Sequence, residues 1–242
     1  MMFTLLKKEV LIFFSSLTGL VSSVIFFVIL GLFLWFFPSE FNILDSGLAS
    51  LEPIFLLLPW IFLFLIPAIT MRMFSEEKKQ GTLELLMTKP LKEKDIVIAK
   101  FLAAMVIILV EMLAILFYFI LVQFFLSNGA VDTGAFWGSF LGLILLASVY
   151  ISIGLFASSL TDNQIVSFLL AVIIILVLYL GFDLMSRIVF FKSISQIFVY
   201  LGLSSHYQSI SKGVVDSRDI IYFFSVILVF LLFTINLLKK RN

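Results

Sequence analysis

The sequence predicts an all-α membrane protein with six transmembrane helices, and its composition and the length of its apolar stretches support this prediction. Hydrophobic residues make up 62% of the 242 residues and charged residues only 13%, whereas soluble domains carry about 45–50% and roughly 25%. The mean hydropathy is +1.23. Six stretches reach the ~20 apolar residues that a helix needs to cross a bilayer. The absence of Cys excludes disulfide frameworks, thiolate metal sites and thiol nucleophiles.

The segment before the first span, residues 1–16, is predicted to form a short helix in the membrane interface. Apolar residues surround Lys7, Lys8 and Glu9, so these three charged side chains should face water. No linker or internal repeat divides the chain, which predicts a single domain over residues 1–242. The predicted spans are Leu17 to Phe37, Ile54 to Phe74, Ile96 to Leu126, Gly134 to Leu160, Ile165 to Phe182 and Ile220 to Leu238.

The distribution of Lys and Arg predicts the orientation of these spans. Twelve of the 16 basic residues fall before span one, in the loop between spans two and three and the span ends that adjoin it, or after span six. The predicted loop between spans one and two has none, and neither does the loop between spans three and four. Because cytoplasmic loops carry an excess of Lys and Arg, both termini and the loop between spans two and three are predicted to be cytoplasmic.

The loop over residues 76–92 is predicted to hold a short amphipathic helix outside the membrane. Ser75 can cap one helix start, Gly81 breaks the helix, and Thr82 can cap a second helix that ends before Pro90. This helix either docks into a groove on a cytoplasmic partner or is a solvated loop whose leucines rest on the lipid headgroups. Its apolar face consists of Leu83, Leu86 and Met87.

Two further connections are polar. In the turn between spans four and five, Thr161 or Asp162 can cap span five, and the turn is either a plain capped hairpin or a second cytoplasmic contact. Between spans five and six, the run Ile188 to Leu201 is too short to cross a bilayer, which predicts a re-entrant or interfacial helix. His206 follows it, and as the single His of the chain it is a poor metal ligand and is expected to hydrogen-bond within its loop.

Inside the predicted spans, one carboxylate and a row of glycines stand out. Glu111 lies well within span three, and intramembrane carboxylates usually face a partner or a cavity. It is therefore either a proton-coupling group or a hydrogen-bonded carboxyl with a structural role. Gly134, Gly138 and Gly142 recur every four residues on span four, a spacing that favours close helix packing or dimerisation.

Three segments of this chain resemble the permeases of ABC-2-type transporters. They are the loop of residues 72–90, the end of span four with its turn at residues 155–164, and the approach to span six at residues 209–219. Within that family, the resemblance is closest to the permeases associated with gliding motility in Bacteroidetes. It implies that coupling to an ATPase involves Arg72, Glu76, Glu77, Gly81, Thr82, Leu83, Glu84, Leu85, Leu86, Pro90, Asp162, Asn163 and Gln164.

The same resemblance implies an architecture and a set of partners. Residues 1–16 would be a connecting helix, residues 76–92 a coupling-helix loop, and residues 183–218 an extracytoplasmic re-entrant hairpin. The chain would work in the bacterial inner membrane with a cytoplasmic ABC ATPase and a second copy or a companion permease-like subunit. It would bind no cofactor or metal itself, because ATP and Mg²⁺ would be held by the ATPase.

The leading hypothesis is therefore the non-enzymatic membrane subunit of an ABC exporter. None of the 12 Gly is followed by Lys, so the sequence has no Walker A motif. Alternatives are an ABC-2 permease for another cargo (a copper or nitrous-oxide accessory system, a drug or a lipid-linked polysaccharide), a proton-coupled secondary transporter using Glu111, and a scaffold for assembling other proteins. An intramembrane protease built on His206, Ser204 and Ser205 is disfavoured, because these residues fall in an outer loop.

Overall fold

All regular structure is helical in the part of the chain that the computed structural model describes, residues 2–42, 51–87, 92–126, 132–187, 195–213 and 216–240. Two single-turn π-helical segments, Val122–Leu126 and Val177–Gly181, continue the helices before them. The α-helices are α1 (Met2–Ser15), α2 (Leu17–Trp35), α3 (Glu52–Lys79), α4 (Thr82–Met87), α5 (Glu93–Glu111), α6 (Leu113–Leu121), α7 (Thr133–Leu160), α8 (Gln164–Leu176), α9 (Phe182–Arg187), α10 (Ser195–Leu201), α11 (Leu203–Ser211) and α12 (Ser217–Lys239).

Six helices or continuous helical runs in the described residues are long and apolar enough to cross a membrane, as the sequence predicts. They are Leu17–Trp35, Glu52–Lys79, Glu93–Phe124, Thr133–Leu160, Gln164–Arg187 and Ser217–Lys239.

The second span is longer than predicted. Helix α3 continues past Phe74 to Lys79, so the prediction that a new helix begins at Ser75 is wrong. The Ser75 hydroxyl donates back to the carbonyl of Met71 within the same helix. Lys78 and Lys79 lie in the last turn of α3, where positive charge is favoured by the helix dipole, and this favours extension of the helix beyond the apolar stretch.

Helices α3 and α7 form the centre of the bundle. In the most apolar 18-residue stretch of each helix, 72% of the residues of α3 and 78% of those of α7 are buried. The corresponding fraction is 22% or less in α2, the α8–α9 run and α12. Gly154 of α7 allows a close approach, because a Cβ there would lie 2.9 Å from Thr70 Cβ of α3 and closer still to its hydroxyl. The backbones of these two helices therefore pack directly against each other, as expected where small residues line an interface in lipid.

The first helix, α1, is separate from the first span and packs against α5. Ser16 separates the two helices and caps α2, its hydroxyl accepting a hydrogen bond of 3.0 Å from Gly19 N. A Cβ at Gly19 would lie 2.9 Å from the Phe13 carbonyl carbon, so this tight corner requires glycine. The predicted helix at residues 1–16 is thus present, while its position in the membrane interface stays a prediction.

Short helices α10 and α11 lie between the last two spans. Residues 188–194 of the predicted helix Ile188 to Leu201 lie outside the described residues, and α10 covers its end. Helix α11 packs on the first half of α7, where Gly138 approaches Gly213 and Gly142 approaches Ile210, whereas Gly134 has only Asp132 nearby. Tyr207 of α11 donates 2.7 Å to the carbonyl of Phe55, and its complete burial raises the pKa of the Tyr207 hydroxyl well above its usual value.

Candidate functional site

The end of α3 and the short helix α4 form a hairpin at one end of the bundle, which we call the α4 end. Gly81 makes the turn with a φ of +68°, in the left-handed region that favours glycine. The predicted break at Gly81 and the predicted helix after it are both confirmed. Thr82 is the first residue of α4 rather than a cap before it, and its hydroxyl donates 3.3 Å to the carbonyl of Glu77.

The leucines of α4 are not all exposed, as they would be in a helix that docks onto a partner through all of them. Leu83 and Leu86 are buried within the chain, and α4 contacts α3. Leu85 is 66% exposed, and Glu84 and Thr82 are exposed with it. The apolar face of α4 is buried within the chain, and α4 packs against α3. A partner protein would therefore contact the exposed side chains of Leu85 and Glu84 first. Pro90 lies outside the described residues, as does the side chain of Met87.

A buried lysine joins three helices just below this hairpin. Lys100 of α5 is fully buried, and its ammonium lies 2.9 Å from Glu9 Oε1 of α1, 2.6 Å from the Met73 carbonyl of α3 and 3.0 Å from Glu77 Oε2. The same nitrogen lies 5.1 Å above the ring of Phe74, a favourable cation–π distance. We call Lys100, Glu9 and Glu77 the Lys100 cluster.

The cluster follows the rule that a buried charge must be paired and hydrogen-bonded. The ammonium donates hydrogen bonds to Glu9 and to the Met73 carbonyl. Its contact with Glu77 is an ion pair, and Glu77 Oε2 has no hydrogen bond within the described structure. The prediction that Glu9 faces water is wrong, because the side chain of Glu9 is paired with Lys100 and is 11% exposed. A residue 91 positions away in sequence supplies the counter-charge, which no local pattern could indicate.

Two motif residues tie α3 to α2. Arg72 Nε donates 3.0 Å to Glu76 Oε2, and its guanidinium also donates to the hydroxyl of Thr18 in the first turn of α2. Gln80 Nε2 donates 3.2 Å to the other oxygen of Glu76. Because Arg72 and Glu76 are about a third exposed, their ion pair contributes little by itself. Its position matters more, since it faces the gap between α1 and α3.

The turn between α7 and α8 is fixed to the same end of α3. Ser158 reaches into the backbone of α3, accepting from Phe74 N at 3.0 Å and from Ser75 N at 3.1 Å while donating 2.9 Å to the carbonyl of Met71. Lys78 also donates to the carbonyl of Ser159. The role of Ser158 was not predicted, since a serine in a polar turn gives no signal of which backbone atoms it will reach.

The cap of α8 differs from the sequence prediction. Asn163, rather than Thr161 or Asp162, is the N-cap, and its side chain accepts 2.9 Å from Ile165 N. Thr161 instead accepts 3.1 Å from the backbone of Asn163. Asn competes as well as Asp for this position, and the geometry of the turn selects it. Asp162 remains exposed and Gln164 begins α8.

Glu111 is buried at the end of α5, where the Ser23 hydroxyl of α2 donates to its carboxylate. This contact joins the first and third spans. At the opposite end of the bundle, His206 Nδ1 lies 2.6 Å from Asp219 Oδ1 of α12 and Nε2 lies 2.9 Å from the Tyr200 carbonyl. Within the described residues, no group of three or more His, Asp or Glu side chains could hold a metal ion.

A family model described as "ABC-2 family transporter protein" matches residues 3–241. No curated protein matches the chain.

Proposed function

The chain belongs to the ABC-2 family of transporter proteins, and from this we propose that it is the permease subunit of an ABC exporter whose ATP is hydrolysed on a partner subunit. As a family member with six membrane-capable helices it is a multi-pass membrane permease. The proposal adds that the α4 end faces the cytoplasm of a bacterium, that the chain lies in the inner membrane, and that it has no enzymatic activity of its own.

The connection of two exposed elements through the end of α3 carries this proposal. Helix α4 follows α3 directly, and the turn at residues 161–163 is held to α3 by Ser158 and Lys78. A partner that pushes on both elements would therefore act on one mechanical unit. The same unit is joined to α1 and α5 by the Lys100 cluster. Such a unit suits rigid-body transmission of a nucleotide-driven movement to the spans.

ATP and Mg²⁺ are assigned to the partner because the chain has no Walker A motif. In this account the partner ATPase contacts the exposed face of α4, and Asp162 and its neighbours form a smaller second contact. In α2, the α8–α9 run and α12, no more than 22% of the residues in the most apolar stretch are buried, which leaves room for a second copy or a companion permease-like subunit beside the lipid.

Cysteine cross-linking tests the docking surface. The chain has no Cys, so a single introduced Cys is unique. We expect Leu85→Cys to cross-link to an ABC ATPase co-expressed from the neighbouring reading frame, and Leu85→Asp to abolish co-purification, while Leu85→Met retains it. Arg187→Cys, exposed on α9 at the other end, is the matched control and should give no cross-link. Equal cross-linking at both positions would contradict the docking assignment.

Labelling with a membrane-impermeant thiol reagent tests the orientation separately. We expect Lys79→Cys to react only after the inner membrane is permeabilised and Arg187→Cys to react in intact spheroplasts. The reverse pattern would invert the topology on which the proposal depends.

The cargo assignment is the narrower part of the proposal. We assign the chain to gliding motility, and disruption of its gene should then abolish gliding. Unaffected gliding would favour another ABC-2 cargo among those considered above.

A proton-coupled transporter using Glu111 is the second candidate, since the carboxylate is buried within a span. Under this alternative, a proton gradient drives transport without ATP, and the Glu111→Gln variant stops that transport. The hydrogen bond from Ser23 instead supports a structural role for Glu111. In that case the Glu111→Gln variant should still transport, and its transport should still require ATP.

A further inference from the structure

A charged cavity lies between α1 and the end of α3, on the open side of the Lys100 cluster. It has a volume of about 360 Å³, and its polar lining includes Lys8, Glu9, Arg72, Glu76 and Glu77. Ile12 contributes to its apolar side. The proposed ATPase-docking contact is made by Leu85 and Glu84, and neither of these residues lines the cavity, although Thr82 of α4 does.

The residues around the cavity suit the level of the lipid headgroups. Helix α1 leaves Phe3, Leu11 and Ile12 largely exposed, and a helix with charged residues on another face and such an apolar surface suits the boundary between headgroups and acyl chains. The cavity opens beside Ile12 and is bounded on the other side by the last turns of α3, just beyond its apolar stretch. A ligand in this cavity would contact charged side chains of the protein and, at the same time, the acyl chains of the surrounding lipid.

The charges around the cavity favour a zwitterion over an anion or a cation. The lining carries two positive charges, on Lys8 and Arg72, and three negative charges, on Glu9, Glu76 and Glu77. Lys100 does not line the cavity, but it is paired with Glu9 and Glu77 and brings the sum of the local charges to zero. A net anion or a net cation would unbalance this set. A headgroup with one phosphate and one ammonium would leave it neutral and satisfy groups of both signs.

The described contacts leave groups of both signs available to such a headgroup. The Lys8 side chain is 55% exposed, and its ammonium lies 3.9 Å from Glu77 Oε1, at the limit of an ion pair. Arg72 has five N–H donors, and its described side-chain contacts with Glu76 and Thr18 use Nε and Nη1. Each oxygen of Glu76 accepts one described hydrogen bond and has a second lone pair.

We propose that this cavity binds the headgroup of a zwitterionic phospholipid with a primary ammonium, of the phosphatidylethanolamine type. Lys8 and Arg72 hold the phosphate, and Glu76 accepts hydrogen bonds from the ammonium. Charge-assisted hydrogen bonds are stronger than neutral ones, and a quaternary choline headgroup has no N–H to donate. The bound lipid bridges α1 and α3, so the headgroup composition of the bilayer acts on the elements that the Lys100 cluster joins.

Native mass spectrometry of the purified full chain tests this proposal without any ATPase, so its failure leaves the proposed function untouched. The chain is mixed with equimolar phosphatidylethanolamine, phosphatidylcholine and phosphatidylglycerol of identical acyl chains. We expect phosphatidylethanolamine to be retained about fivefold more than either competitor, about 1 kcal/mol of discrimination. Equal retention, or preference for phosphatidylglycerol, would overturn the proposal.

Matched variants assign the discrimination to the cavity. Glu76→Gln and Lys8→Gln should each remove most of the preference, and Lys8 is exposed enough that its substitution leaves the fold intact. Lys7→Gln is the control, because Lys7 is the exposed neighbour on a different face of α1 and does not line the cavity. A preference that survives both cavity variants, or that Lys7→Gln removes equally, would refute the site.

A soluble headgroup separates a lipid from a free phosphodiester. Glycerophosphoethanolamine lacks acyl chains, so we expect it to displace the lipid only at large excess. Binding of the soluble compound as tight as that of the lipid would show that the cavity takes a cytosolic ligand instead.

Discussion

The two ends of the bundle hold their buried charges in different ways. At the α4 end, Lys100 is fully enclosed and joins helices whose contacting residues are 91 and 23 positions away in sequence. At the opposite end, His206 pairs with Asp219 only 13 positions away and stacks on Tyr222 at a ring distance of 4.0 Å. The first arrangement connects distant parts of the chain, whereas the second fastens a local hairpin to the span that follows it.

The difference shows where a force could be transmitted. Polar contacts connect the end of α3, which leads into α4, to α1, α5 and α7, so under the proposed function a push on α4 would be transmitted to these helices. Among the residues that the structure describes, the hydrogen bonds of His206 link α10, α11 and α12. Since a carbonyl oxygen only accepts, Nε2 is the donor in the contact with Tyr200.

The largest expected effect is the loss of Lys100. Lys100→Met leaves the carboxylates of Glu9 and Glu77 buried without their shared cation, which costs about 3–4 kcal/mol in the free energy of unfolding. The midpoint of unfolding in a detergent titration measures it. Adding Glu9→Gln and Glu77→Gln to Lys100→Met should restore part of the loss. A single variant as stable as the parent chain would remove the distinction between the two ends.

A pair of glycine substitutions gives the next largest effect. Gly154→Ala brings a methyl group within 2.9 Å of Thr70 Cβ in the tight α3–α7 contact, and we expect a loss of about 2 kcal/mol. Gly181→Ala, near the opposite end, meets no atom closer than 3.5 Å and should be neutral. The same detergent titration measures the stability of both variants. Equal losses of stability would show that packing does not differ between the two ends of the bundle.

A smaller effect is expected at the His206 pair. Asp219→Asn replaces a charge-assisted partner of a side chain that is 13% exposed, and we expect a loss of about 1–2 kcal/mol. A double-mutant cycle with His206→Gln measures the interaction itself. An interaction energy of zero would mean that the two groups act independently.

The smallest effect belongs to an exposed ion pair that serves as a reference. Arg187 lies 2.8 Å from Asp183 on α9, but its side chain is 73% exposed. Arg187→Gln should change stability by less than about 0.5 kcal/mol, because solvent screens the pair. A loss approaching that of Lys100→Met would show that burial does not explain the difference.

Most of the fold could be predicted because it depends on local patterns. Six apolar stretches of sufficient length give six membrane-capable helices, and Gly81 ends α3 because its turn needs a positive φ. The predicted cap of α8 failed because the shape of the turn selects Asn163. The burial of Leu83 and Leu86 was not predicted, because it depends on α3 lying beside them.

The candidate site was predicted as a segment but not as a set of contacts. The motif residues Arg72, Glu76 and Glu77 do lie at the α4 end, yet the partners that position them are Thr18, Gln80 and Lys100. Ser158 shows the same limit, since its hydroxyl bonds to backbone atoms more than 80 positions away.

The amino-acid sequence by itself determined the membrane character, the number of spans and the short helix after Gly81, since hydropathy and backbone preference act within a few turns of chain. Only the tertiary structure decided which acceptors surround Lys100, which face of α4 remains exposed and where a charged cavity opens beside α1. Those properties arise when distant helices pack, because a buried charge must find its counter-charge wherever the fold brings one.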